Sequence, residues 1–310
     1  MAAIEVFAPA KVNLTLHITG QRADGYHLLD SLVSFADVGD VLRIETGAGQ
    51  GTGQSAGNGA EAFAMTVEGP EAGDVPLGGD NFITQMAARL WTGGPLRFHL
   101  TKNLPVAAGI GGGSADAAAC FRGLSFLAGG LDAQEPRIRA QLVELGADVP
   151  MCVRSAPVHV GGIGEDLIPV PQMPCWPVLL VNPRVSVPTG PVFKALVQKR
   201  NSPMAALPAD VSDGPRMLEY LAAQRNDLEP PARAIAPQIG AALAAISATQ
   251  GCALARMSGS GATCFGLYEQ AAEAEAAAAQ IRAAHPDWWV CATRLGGAAR
   301  AAPQLIRATT

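Results

Sequence analysis

The run Pro105-Val106-Ala107-Ala108-Gly109-Ile110-Gly111-Gly112-Gly113-Ser114-Ala115-Asp116 holds four glycines in five residues. Glycines leave backbone N–H groups unshielded, and the Ala-rich helix expected after Ser114 aims its positive dipole end at the same place. Together they make a cradle for phosphate. The plain alternative is a glycine-rich turn before a helix. A Walker loop does not fit, because no Gly-Lys-Ser/Thr is present and no lysine is expected in or near the run. A dinucleotide fingerprint does not fit either: Ser114 stands where its third glycine belongs, and no βαβ alternation follows.

Three further segments carry chemistry. In Pro9-Ala10-Lys11-Val12-Asn13-Leu14 a lysine interrupts an apolar, strand-like run. It is either a site residue or a snorkelling lysine at a sheet edge. Leu145-Gly146-Ala147-Asp148-Val149-Pro150 puts a carboxylate in a small, turn-forming segment, as a base or as a helix N-cap. Ser258-Gly-Ser-Gly-Ala-Thr263 offers backbone N–H groups to phosphate, or is a hairpin.

Elements must position these residues. Val12–Ile18 alternates with period two and reads as a strand, followed by strands over 28–36 and 41–44 and a turn at Asp24-Gly25. Residues 46–60 read as a Gly-rich loop, and strand signals resume over 63–67. Asp80-Asn81 caps a helix with Phe82, Met86 and Leu90 on one face. Residues 96–100 form the strand that leads into the glycine run. The Pro-rich stretch 168–177 divides the chain into segments 1–168 and 169–310. Beyond it, a short buried strand over 178–181 precedes helices at about 214–225, 232–249 and 269–284. These are interleaved with strands at 252–257, 263–268 and 288–294. That order suits an α+β sandwich with helices on one sheet face.

Composition narrows the class. The 310 residues carry 22 Lys plus Arg against 27 Asp plus Glu, a net charge of −5, and 49% of them are apolar. No general field attracts nucleic acid or an anionic membrane, so an anionic substrate needs a local site. The apolar content suffices for a sizeable core. The uncharged run 234–255 is interrupted by Pro237, Gln238 and Gly251, and reads as a buried helix and strand rather than a membrane span. The opening Met1-Ala-Ala-Ile-Glu5 lacks the features of a signal peptide. The six cysteines form no C-x-x-C pair and read as buried thiols of a reducing cytosol. The expectation is a cytoplasmic protein, a monomer or weak homodimer.

The four segments in this order resemble the GHMP kinase superfamily of galactokinase, homoserine, mevalonate and phosphomevalonate kinases. Residues 105–118 are similar to its P-x-x-x-G-[LI]-G-x-x-S phosphate loop. Pro9–Leu14 is similar to its N-terminal motif, and Met257-Ser-Gly-Ser-Gly to its C-terminal one. Gly20-Gln-Arg-Ala-Asp-Gly-Tyr26-His27, Val185-Ser-Val-Pro-Thr189 and Asn226-Asp227-Leu-Glu229 resemble the branch that phosphorylates a CDP-linked methylerythritol in the non-mevalonate route to isoprenoid precursors. Ala107-Ala108 departs from the glycines common at those places, and the loop over 47–59 is longer than that branch leads one to expect.

The resemblance implies a two-domain α+β fold. The N-terminal domain would resemble domain 2 of ribosomal protein S5, and the C-terminal one would be ferredoxin-like. ATP and acceptor would meet between them. It implies Asp148 as base for the acceptor 2-hydroxyl and Lys11 as its partner and stabiliser of developing charge. Residues 105–115 would hold ATP phosphates, with Ser114 on Mg2+. Asn13 would hold acceptor hydroxyls, Tyr26 and Phe193 would flank cytosine, and His27 would read its edge. The alternatives are a homoserine- or mevalonate-type kinase, or a catalytically silent nucleotide-binding protein.

Overall fold

The computed structural model describes residues 3–47, 63–296 and 301–306. Most of the loop expected over 46–60 lies outside them. Among the described residues the strands form two sheets. The larger contains β1 (Ala3–Asn13), β2 (His17–Gln21), β3 (His27–Thr46), β4 (Phe63–Glu68), β5 (Leu96–Thr101), β6 (Val158–Gly161), β7 (Asp166–Pro169) and β12 (Gln304–Ile306), with the path β12-β1-β3-β5-β4. The smaller contains β8 (Pro177–Asn182), β9 (Leu254–Met257), β10 (Cys264–Leu267) and β11 (Trp289–Arg294), in the order β11-β8-β10-β9. All its pairs are antiparallel. Read as strands one to four this is order 4-1-3-2, the ferredoxin-like arrangement.

Helices α1 (Phe82–Leu90), α2 (Gly112–Leu127), α3 (Pro136–Leu145) and α4 (Val149–Arg154) belong to the first sheet. Between the strands of the second come α5 (Thr189–Ala195), α6 (Gly214–Ala222), α7 (Glu229–Ile235), α8 (Gln238–Ser247) and α9 (Ala271–Ala284). Asn81 caps α1 as expected, its Oδ1 accepting from Ile83 N at 2.8 Å. α2 buries a run of Ala115, Ala117, Ala118, Ala119 and Cys120. These small residues let it lie close against β1 and β3. At Gly123 a Cβ would meet Ile44 Cδ1 at 2.4 Å.

The core has three parts. One lies between the first sheet and its helices, built on Ile4, Val6, Phe35, Ile44, Phe98 and Phe121. A second lies under α7, α8 and α9 and takes Leu179 and Val181 from β8. The third joins the halves: Val178 and Leu180, on the other face of β8, meet Val12, Leu14, Leu32 and Leu104. A strand buried on both faces needs an unbroken apolar run, as β8 has.

Three expected elements differ. The strand over 12–18 is interrupted, because Leu14 and Thr15 both turn their N–H groups to Leu32 O. The strands over 28–36 and 41–44 are one strand, β3, running through Asp37–Asp40 beside a bulge between Pro9 and Lys11. The helix over 232–249 is two, α7 and α8, parted at Pro237, whose missing N–H cannot continue a helix. The thiols also divide: Cys120, Cys152 and Cys264 are buried, Cys252 and Cys291 are half-buried, and Cys175 is exposed. Among the described residues no helix is long and apolar enough to cross a membrane.

Candidate active site

β1 ends beside the glycine loop and delivers Lys11 to it. The Lys11 backbone N–H donates to Ile110 O at 2.9 Å, and its ammonium donates to Asp148 Oδ2 at 2.8 Å. Lys11 is 6% exposed at the side chain and Asp148 37%. One charge is therefore held inside while the carboxylate faces the open side. Asp148 stands at the N-cap of α4, yet its side chain accepts no cap bond. The alternative of a capping aspartate is thereby removed.

The loop reaches α2 through two left-handed glycines, Gly109 (φ +75°) and Gly111 (φ +65°). At Gly111 a Cβ would come within 3.2 Å of Lys11 Cε. Glycine is thus required by conformation and by closeness. The first N–H groups of α2 have no intrahelical acceptor, and Gly111 offers no side chain to cap them. Ala107, where a glycine was the expected type, holds φ +52°.

The Ser258–Thr263 segment is a hairpin between β9 and β10, and it buttresses the loop from behind. Ser258 Oγ donates to Gly109 O at 3.1 Å, and Thr263 N donates to Ala108 O at 3.0 Å. Those carbonyls are thereby turned away from the open side. Gly109 packs so tightly there that a Cβ would lie 2.6 Å from Gly261 O. Asn13 joins the same knot. Its backbone N–H donates to Ser258 Oγ, and its Nδ2 donates to Ser31 Oγ at 2.9 Å. Its buried Oδ1 has no partner.

A second charged group was not anticipated. Lys102, three residues before Pro105, donates to Asp40 Oδ2 at 2.5 Å and to Asp116 Oδ2 at 2.8 Å. Asp40 Oδ1 also accepts from the N–H groups of Asn103 and Leu104. A Cβ on Gly112 would lie 3.1 Å from Lys102 Nζ. A lysine is therefore close to the loop after all, in sequence and in space. It points into the protein at two carboxylates. Burial pushes the Asp116 carboxyl up to about 8 against the pull of Lys102, and the neighbouring Asp40 adds to the rise.

The expected acceptor residues lie as follows. Tyr26 is 61% exposed. His27, at the start of β3, rests its ring on Phe193 of α5, with centroids 4.9 Å apart and planes tilted by 32°. The His27 Nε2 is buried without a partner. Burial, with Lys199 beside it, pushes that imidazole below its ordinary value, so it is neutral at pH 7. Ser114 lies across from the 146–148 turn, its Oγ 3.7 Å from where a Gly146 Cβ would be. Among the described residues no cluster of three His, Cys, Asp or Glu side chains could hold a metal ion.

Comparison with known proteins agrees with this geometry. The chain matches the GHMP kinases N terminal domain over residues 81–156 and the GHMP kinases C terminal over 205–287. It is 49% identical over 303 residues to the 4-diphosphocytidyl-2-C-methyl-D-erythritol kinase of Roseobacter denitrificans, covering 97% of each chain. It is 51% identical over 293 residues to the enzyme of that name from Dinoroseobacter shibae, covering 93% of this chain and 94% of the other. A crystal structure of a 4-(cytidine 5'-diphospho)-2C-methyl-D-erythritol kinase superposes with a TM-score of 0.74 at 30% identity, covering 94% of this chain and 99% of that one. With two-domain motifs, sheet order and near-full-length identity in agreement, the chain belongs to the 4-diphosphocytidyl-2-C-methyl-D-erythritol kinase family of the GHMP kinases.

Proposed function

We propose that the protein transfers the γ-phosphoryl group of ATP to the 2-hydroxyl of 4-diphosphocytidyl-2-C-methyl-D-erythritol, giving the 2-phosphate and ADP. The observation that carries the reading is the Lys11–Asp148 pair, 2.8 Å apart and bonded through the Lys11 backbone to the glycine loop. The acceptor is a tertiary alcohol and a weak nucleophile. Phosphoryl transfer asks the protein for positioning and charge stabilisation more than for covalent chemistry. Asp148 takes the hydroxyl proton. Lys11 orients that carboxylate and offsets charge on the oxygen as it develops. The N–H groups at the start of α2 hold the β- and γ-phosphates.

Mg2+ fits this donor set as an ion held chiefly by nucleotide phosphates and water. Ser114 Oγ would be its protein ligand, and when bound it would neutralise phosphate charge. Asn13, with its unpartnered Oδ1, would receive an acceptor hydroxyl. Tyr26 and Phe193 would flank the cytosine, and His27 Nε2 would meet its edge. The first domain spans residues 1–168 and the second 169–310, except that β12 returns to the first sheet. The protein works in the cytoplasm as a monomer or weak homodimer, without nucleic acid or membrane.

ADP release should require both ATP and the CDP-alcohol. ATP turnover that ignores the acceptor would overturn the reading. The base is tested with the UDP-linked alcohol: kcat/KM should fall for it in the wild type. Tyr26→Ala should cost about 1–3 kcal/mol of acceptor binding, and Tyr26→Phe little. Equal kcat/KM for the CDP and UDP alcohols would show that the base is not read.

A further inference from the structure

Arg184 follows β8 and makes a charged contact between the second half of the chain and the first. Its guanidinium bonds Glu71 in bidentate fashion, Nη1 to Oε2 at 2.8 Å and Nη2 to Oε1 at 2.5 Å. Arg184 is half exposed, but the Glu71 side chain is only 6% exposed. A buried carboxylate that meets a planar fork is held in one geometry. Arg184 also holds φ +55°, a conformation costly for a residue with a Cβ. Its backbone N–H donates to Asn182 Oδ1 at 2.7 Å, which holds that bend.

Both ends of this contact run to the phosphate loop. On the first-domain side, Glu71 N donates to Lys102 O at 3.1 Å, and Lys102 N donates to Glu68 O at 2.7 Å. Gly69 lies so close that a Cβ would be 2.6 Å from Lys102 O. Lys102 in turn bonds Asp116 in α2. On the second-domain side, Asn182 Nδ2 donates to Thr263 Oγ1 at 2.9 Å, and Thr263 N donates to Ala108 O. The links among Lys102, Asp116, Asn182, Thr263 and Ala108 are hydrogen bonds between buried residues.

We infer that Arg184 is a positioning residue for nucleotide binding: with Glu71 it latches the two domains across the phosphate loop and sets where that loop lies. The inference rests on the proposal that the loop binds ATP. It assigns no contact of Arg184 with either substrate.

The test compares ATP and acceptor KM, kcat and melting temperature in the wild type, Arg184→Ala, Glu71→Ala, the double variant and Arg184→Lys. The latch predicts that each alanine variant raises ATP KM by about tenfold, the scale of a lost charge-assisted bond pair. Acceptor KM should stay within about twofold. The double variant should be no worse than the worse single, because the two residues act as one unit. Arg184→Lys should fall between, since a point charge replaces the fork. A general loss of stability would not separate the two KM values. Unchanged ATP KM in Arg184→Ala, or both KM values rising together with a lower melting temperature, would overturn the latch. A wild type that binds no ATP would overturn the nucleotide reading and the latch with it, so the two failures are distinguishable.

Discussion

Two lysine–aspartate groups border the same glycine loop and differ in the access they leave. Lys11 approaches Gly111 and pairs with one carboxylate that is 37% exposed. Lys102 lies beneath Gly112 and pairs with two carboxylates that are 0% and 7% exposed. The first pair has a spare face, so its carboxylate can meet a ligand. The second is closed: Asp40 is filled by Lys102 and two backbone N–H groups. Charge type does not separate the open pair from the closed group. The number of bonds already made and the access left over do.

The largest effect expected is on turnover at the open pair. Asp148→Asn keeps shape and loses the proton acceptor, so kcat should fall by about 10²–10⁴-fold with little change in melting temperature. Lys11→Ala should fall similarly, and the double variant should lose far less than the product of the two. Near-normal kcat in Asp148→Asn would end the comparison, since the open pair would then do no chemistry.

The closed group should answer in stability instead. Lys102→Met leaves the Asp40 carboxylate buried without its cation, a change that costs about 3–5 kcal/mol. Urea unfolding measures it. A variant as stable as the wild type would show that the buried group holds nothing together.

A pH series separates the two groups. Asp116 is raised from the ordinary 3.8 to about 8 in the folded chain, first by burial. The unfolded chain then releases its proton at lower pH than the folded one. The stability this group contributes is complete below about pH 4 and is lost as pH rises through about 8. Melting temperature should slope downward over that window in the wild type. In Asp116→Asn that part of the slope should vanish, whereas Asp148→Asn should keep it. Identical slopes in the wild type and Asp116→Asn would remove the titration from the buried group.

The sequence was legible where chemistry is local. Lys11, the loop from Pro105 to Ala115, and Asp148 each lie in a short run whose neighbours betray them: an apolar strand, a string of glycines, a small-residue turn. The capping Asn81 and helix α1 were legible for the same reason. The second charged group was not. Lys102 meets Asp40 across 62 residues and Asp116 across 14, and no local pattern announces such a meeting. The available signal was weak: a charged residue, Asp116, inside an otherwise Ala-rich buried helix must be paired. Strand limits failed where tertiary bonds override periodicity, as at Leu14 and Thr15. Arg184 and Glu71 gave no signal, since each is an ordinary charged residue in a loop.

The pairing of β12 with β1 has a consequence in time. On one side β1 pairs with β3, and on the other with residues 304–306. During synthesis β3 emerges almost at once, but at about 5–20 residues per second the other neighbour follows β1 by roughly 15–60 s. Throughout that interval the start of β1 presents an open edge, the feature of a sheet that invites pairing with foreign strands. A nascent chain therefore carries a delayed closure, and anything that slows the ribosome late in the message lengthens the exposure of a strand made at its beginning.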